Sequence, residues 1–288
     1  MNCKLCNQNK DLQESHIFPK FVFRWLKGTA GNYIRKPDNP NKRHQDGLKE
    51  KLLCYDCEQL FSKFENVFSR DIFYPHVKKN KTEFEYDQNL FDFSVSVLWR
   101  VLLTGYNTYK NNNTDFLENI DNAEKEWREY LYNKKPINRF NKVFIFFTTH
   151  GLNYRIQPVE RFLYYYSRSV DGDIVFNQDT CFVYAKIARV IILGEIQNPN
   201  KYPLSNTIIN IDGGILNTDK LKLDKLLKQY LIFRVTDLNN HFDKVSEKQK
   251  EIAIKYTEEQ IKKLEGEEIV DIIEAQREMK IDKDFLDF

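Results

Sequence analysis

Four of the five cysteines stand as two CxxC pairs, Cys3-Lys4-Leu5-Cys6 and Cys54-Tyr55-Asp56-Cys57, with 47 residues between them. Each CxxC can turn tightly enough to bring two sulfurs to one point, and two such knuckles complete a tetrahedral shell of four thiolates. Zn²⁺ suits that shell, because thiolates bind it strongly and a closed site needs no redox chemistry. The alternatives are two disulfides or free thiols in a core. The chain begins Met-Asn-Cys-Lys-Leu-Cys with no apolar run, so no secretory signal is expected and the reducing cytoplasm is the expected compartment. That disfavours disulfides. Structural zinc on Cys3, Cys6, Cys54 and Cys57 is therefore the expectation. Cys181, within Thr180-Cys181-Phe182-Val183-Tyr184, reads as a small buried hydrophobe.

A spacing of 47 residues is longer than a compact zinc ribbon needs, so the interval must carry structure of its own. After the first knuckle comes Glu14-Ser15-His16-Ile17-Phe18-Pro19-Lys20, then Phe21 to Gly28, an amphipathic helical pattern ended by glycine. A basic, turn-rich stretch from Asn32 to Asp46 follows, and Lys49 to Leu53 reads as a short strand entering the second knuckle. Beyond Cys57, the apolar stripe Leu60, Phe61, Phe64 and Phe68 predicts a helix. Glu58, Ser62 and Glu65 fall at i, i+4 and i+7, on another face of it.

A CxxC, the His16-Ile17-Phe18-Pro19 segment, a basic loop, a strand ending Leu52-Leu53-Cys54-x-x-Cys57 and a helix together resemble the zinc-knuckle branch of the HNH endonucleases, in the ββα-metal nuclease superfamily. The resemblance ends near residue 75. It implies metal-dependent hydrolysis of a phosphodiester. His16 matches the general base that deprotonates water, while one divalent cation stabilises the leaving oxygen. The residue types suit that chemistry: an imidazole accepts a proton at neutral pH, and a hard cation on carboxylates acts as a Lewis acid on phosphate.

The match departs from the family at three points. Ser15 stands where the family has Asp or His, with Glu14 one step earlier. No Asn lies near Lys49. Glu58 takes the place of the His that follows the last cysteine. The implied site is thus a carboxylate variant, with Glu58, Asp46, Glu65 and Glu14 as candidate ligands of Mg²⁺ or Mn²⁺. The other expectation from the same fold is a non-catalytic, zinc-stabilised nucleic-acid-binding or adaptor protein.

Net charge at first argues against nucleic acid, since 44 Lys/Arg balance 42 Asp/Glu to leave +2. Residues 1–80, however, carry 15 Lys/Arg against 9 Asp/Glu. Lys20, Arg24, Lys27, Arg35 and Arg43 are the expected phosphate contacts. DNA ranks ahead of RNA as the expected partner, and a homo-oligomer or a defence-system partner protein is also considered. Stand-alone HNH-type proteins often serve restriction or anti-phage defence, and the resemblance extends that role to this chain. No stretch approaches the roughly 20 apolar residues of a spanning helix, so no membrane partner is expected.

Beyond residue 80, Leu90–Leu103 and Phe116–Tyr132 read as helices. Segments within 142–211, including 161–169, read as five or six strands of an antiparallel sheet, with Asp171-Gly172 as a hairpin turn. Tyr164, Tyr165 and Tyr166 read as packing residues on that sheet rather than a base-stacking platform. Residues from 219 onward read as helical, with Ser246 starting one helix and another over 267–279. His76 and His150 are assigned no chemistry. No phosphate loop, dinucleotide fingerprint or nucleophile elbow appears. The expected architecture is α+β. A zinc-knuckle ββα-metal nuclease module spans 1–80. A larger mixed domain spans 81–288, with an antiparallel sheet and C-terminal helices, and serves sensing, substrate choice or partner binding.

Overall fold

The computed structural model describes residues 1–30, 34–36, 39–112, 115–148, 156–199, 207–217, 225–252, 255, 270, 272–274 and 280–281. In chain order its elements begin with β1 (Leu12–His16), α1 (Lys20–Ala30), β2 (Ile34–Lys36), β3 (Asn39–His44), β4 (Lys49–Cys54) and α2 (Tyr55–Phe68). Next come α3 (Tyr74–Lys79), β5 (Glu83–Tyr86), α4 (Gln88–Asn112), α5 (Leu117–Asn133), β6 (Val143–Phe147), β7 (Ile156–Gln157) and α6 (Phe162–Arg168). The last are β8 (Val170–Phe176), β9 (Cys181–Ile187), β10 (Val190–Gln197), β11 (Gly214–Asn217), α7 (Lys225–Phe242) and β12 (Lys280–Ile281). The fold is mixed α+β, and among the described residues every strand pairing is antiparallel except the short parallel pair of β7 with β12.

Two compact units divide the chain differently from a boundary at residue 80. The first comprises Met1–Pro19, Leu48–Thr148 and Val170–Lys222, and the second Lys20–Gly47, Thr149–Ser169 and Leu223–Phe288. Beyond α2 the chain stays helical as far as Lys79. From α2 the chain passes through a π-helical turn, Ser69–Phe73, into α3, and Ile72 and Phe73 are buried. The stripe on α2 packs on α4: Phe68 stacks on Phe93 at 3.9 Å between centroids, and Phe61 meets Trp99 edge-on at 6.0 Å. Such contacts fasten α2 to the residues that follow it.

The middle of helix α4 is enclosed on every side, and its buried polar side chains Ser94, Ser96 and Arg100 donate to backbone carbonyls. Phe91, Phe93, Val95, Val97, Leu98, Trp99 and Leu102 are buried along it, each worth roughly 1.5–3 kcal/mol on burial. It packs against α2, α5 and all four strands of the sheet β6-β10-β9-β8. Close approach is set by two glycines on the sheet. A Cβ at Gly194 would lie 2.7 Å from Trp127, and one at Gly172 would lie 2.7 Å from Phe18. Gly172 therefore sits inside β8, opposite Ala185, and not in a hairpin turn. The turn lies at 177–180, where the Asn177 side chain accepts from the Asp179 and Thr180 amides. A tight turn at Ala188, which adopts φ 55°, separates β9 from β10. Residue 208 makes an isolated bridge to Phe144, so among the described residues the sheet has four strands where five or six were expected.

In the second unit α1 buries Phe21, Val22, Phe23 and Trp25 and leaves Lys20 and Arg24 exposed. The expected strand over 161–169 is helix α6. Its buried residues Phe162, Leu163, Tyr165 and Tyr166 recur at i, i+1, i+3 and i+4, a helical period, and Phe162 stacks on Tyr166 at 5.2 Å. Tyr165 and Tyr166 are packing residues, as expected, but on a helix. After α7 a helix begins at 247, with the Gln249 and Lys250 amides donating to the Ser246 carbonyl. His150 and nearly all of the helix expected over 267–279 lie outside the described residues.

Candidate functional site

The first knuckle closes on itself: the Asn7 amide donates to Cys3 O (2.9 Å), with Asn7 at φ 59°, and the Cys3 amide donates to Gln8 O (3.0 Å). The Lys4 amide donates to Leu52 O (2.9 Å), which binds this knuckle to β4. Strand β1 pairs with β4 so that Leu12 lies opposite Cys54, and α2 starts at the next residue. Cys57 thus sits in the first helical turn, where the positive end of the helix dipole favours a thiolate.

All four sulfurs lie within 4.8 Å of one another, with Cys6 Sγ and Cys54 Sγ at 3.9 Å, and no disulfide joins them. A tetrahedral zinc with bonds of about 2.3 Å requires sulfurs roughly 3.8 Å apart. The cluster therefore has the dimensions to hold one metal ion such as zinc. Burial pushes the Cys6 and Cys57 thiols up. Burial opposes ionisation of Cys3 as well, but hydrogen bonds from the backbone at Cys6, Cys54 and Leu5 outweigh it and bring that thiol down to about 7. Cys181 is fully buried, far along the chain in β9, and its thiol is pushed up to about 12 by burial.

His16 ends β1, half-buried, with Lys49 opposite it in the ladder. Ser15 faces the interior: it is fully buried and its hydroxyl accepts from the Leu53 amide at 3.1 Å. Ser15 therefore serves to hold β1 to β4. Glu14 is exposed on the same strand.

Glu58 and Glu65 lie on one stripe of α2, two turns apart, in different surroundings. Glu58 Oε1 is buried and accepts no hydrogen bond. Glu65 Oε1 accepts from Arg100 Nη1 at 2.9 Å, and that guanidinium also donates from Nη1 to the His16 carbonyl (2.8 Å) and from Nε to Ser96 O (3.1 Å). Arg100 is 3% exposed, packs over the Phe61 ring, and leaves Nη2 without a partner. Asp46 belongs to the other unit, where its Oδ1 accepts from the Gly47 amide. The first unit thus holds His16, Glu58, Glu65 and Glu14, with Glu65 already neutralised by Arg100, which lies outside both CxxC knuckles and the segments beside them. Its signal in the sequence is a lone charge inside the apolar run Leu98-Trp99-Arg100-Val101-Leu102.

All five expected phosphate contacts belong to the second unit. Lys20, Arg24 and Lys27 share a face of α1 at i, i+4 and i+7, with Lys27 Nζ donating to Gln45 O at 2.7 Å. Arg35 and Arg43 stand opposite each other on the β2–β3 hairpin. His76 is buried in α3 with its ring edge-on to Phe147 and Nδ1 3.0 Å from Lys81 O, a packing arrangement. Among the described residues no helix is long and apolar enough to cross a membrane. No protein-family model, curated protein or solved structure matches this chain.

Proposed function

We propose that this protein is a metal-dependent endonuclease of HNH type that hydrolyses phosphodiester bonds of DNA, with RNA the second substrate, and that it serves restriction or anti-phage defence. Cys3, Cys6, Cys54 and Cys57 hold a structural zinc, and His16 accepts the proton of the attacking water. The observation that carries this reading is the orphaned carboxylate oxygen of Glu58. It is buried on the helix that springs from the second knuckle, and unpaired buried oxygens of this kind are costly unless a cation satisfies them. Glu58 is the ligand we assign to Mg²⁺ or Mn²⁺, which when bound supplies Lewis acidity toward phosphate. Ser15 and Arg100 hold the strand that carries His16.

The second reading, a zinc-stabilised nucleic-acid-binding or adaptor protein without hydrolysis, is favoured by the Arg100–Glu65 pair, which removes one candidate ligand. Incubating the zinc-loaded full chain with supercoiled plasmid in Mg²⁺ or Mn²⁺ separates the two readings. Nicked or linear product that disappears with chelator supports the nuclease. Retarded but uncut plasmid supports the binding protein.

A further inference from the structure

We infer that helix α1 lies along the sugar-phosphate backbone of the nucleic acid and holds it through Lys20, Arg24 and Lys27 without reading the bases; this rests on the nucleic-acid reading above. At 3.6 residues per turn the three side chains fall within an arc of about 60°, over a rise of about 10.5 Å. Lys20 and Arg24 are exposed, Lys27 is half-buried, and the helix contains no carboxylate. Among the described residues neither Lys20 nor Arg24 takes part in a hydrogen bond or ion pair. Lys27 spends one of its three donors on Gln45 O and keeps two. Lys20 also stands in the first turn, where the helix dipole disfavours a cation, and like charges at i and i+4 repel. A bound anion offsets both costs.

The other faces of α1 are committed to its own unit. The Arg168 guanidinium covers the Trp25 ring at 4.6 Å and donates to Thr29 Oγ1 (2.6 Å) and Leu26 O (3.3 Å). Phe21 and Val22 are buried, and Phe23 lies so close to Gly47 that a Cβ there would clash with its ring. What remains is a narrow cationic strip on a firmly seated helix. The strip has no apolar centre on which to build a protein interface, and α1 has no apolar face left to enter a membrane surface. Nor can it read bases, because a recognition helix must itself enter a major groove about 12 Å wide. Phosphates, by contrast, line the outside of a nucleic acid at regular spacing, within reach of a strip that cannot penetrate.

Fluorescence anisotropy of the zinc-loaded full chain with two DNA duplexes of unrelated sequence, without Mg²⁺ or Mn²⁺ and over a series of salt concentrations, tests this. Lys20→Gln, Arg24→Gln and Lys27→Gln should each flatten the slope of log affinity against log salt by about 0.9, the counterion released by one phosphate contact. Each should weaken both duplexes by the same factor, with no fall in thermal midpoint. A variant whose midpoint falls is judged by the other two. A fall in all three makes the strip part of the unit's own folding and overturns the assignment. Unchanged slopes, or a loss confined to one sequence, overturn it and leave the nucleic-acid reading standing. Binding to phosphatidylserine vesicles in place of either duplex, or to no nucleic acid at all, overturns both.

Discussion

Arg100 connects three parts of the first unit through one guanidinium: β1 through the His16 carbonyl, α2 through Glu65, and its own helix through Ser96. With side-chain exposures of 4% and 18%, Arg100 and Glu65 form a pair whose loss on one side strands a charge. Arg100→Ala should therefore cost about 3–5 kcal/mol in urea unfolding. The double change Arg100→Met/Glu65→Leu should recover most of that, because it removes both charges and keeps the volume. If the double variant is as unstable as the single one, the pair is not what holds the site. A second residue-scale prediction concerns alkaline pH. Burial pushes Cys181 from 9.0 to about 12, and burial, then the neighbouring Cys181, pushes Tyr109 from 10.0 to about 12. The folded state keeps both protons longer than the unfolded chain does. Their contribution to stability is complete below pH 9 and is lost as pH rises from 9 toward 12. Thermal midpoints of the metal-loaded protein should fall over that window, and less steeply in Cys181→Ala; identical slopes would contradict the assigned burial.

At the scale of elements, the four-cysteine cluster fastens the N-terminal knuckle, the end of β4 and the first turn of α2 to one point. Stripping the metal with a strong chelator should release one equivalent and lower the thermal midpoint by about 10 °C or more, since metal-binding energy in such sites is folding energy. Cys54→Ser should behave like the stripped protein, and an unchanged midpoint in either case would dissociate the cluster from folding. The helices α2, α4 and α5 and the strands β4 and β6 were legible in the sequence, because their apolar residues repeat with a clear local period. Other elements were not. Three consecutive tyrosines have strand propensity, yet α6 forms because Phe162 and Tyr166 stack one turn apart. Gly172 resembles a turn residue, yet it lies in β8 because Phe18, more than 150 positions away, fills the space a Cβ would need. The same limit explains the site. The cysteines and His16 stand out through spacing along the chain, whereas Arg100 reaches His16 across 84 positions.

For the molecule as a whole, the near-zero net charge conceals an uneven distribution, and the division into units redraws the one that sequence order suggested. The four clustered cysteines, His16 and Glu58 belong to the first unit, and Lys20, Arg24, Lys27, Arg35 and Arg43 to the second. A module read as contiguous from residue 1 to 80 is thus shared between both units, each closed by segments from much later in the chain. Within the first unit, Arg100 from the later segment bonds to the His16 carbonyl, so residues beyond 80 take part in holding β1. The proposed endonuclease activity depends most on His16, so the rate of plasmid cleavage in Mn²⁺ by the wild type and by His16→Ala is the most direct measurement. A loss of about 100-fold or more with DNA affinity unchanged is the predicted result, the contribution expected of a general base. Cleavage by His16→Ala at the wild-type rate would contradict it.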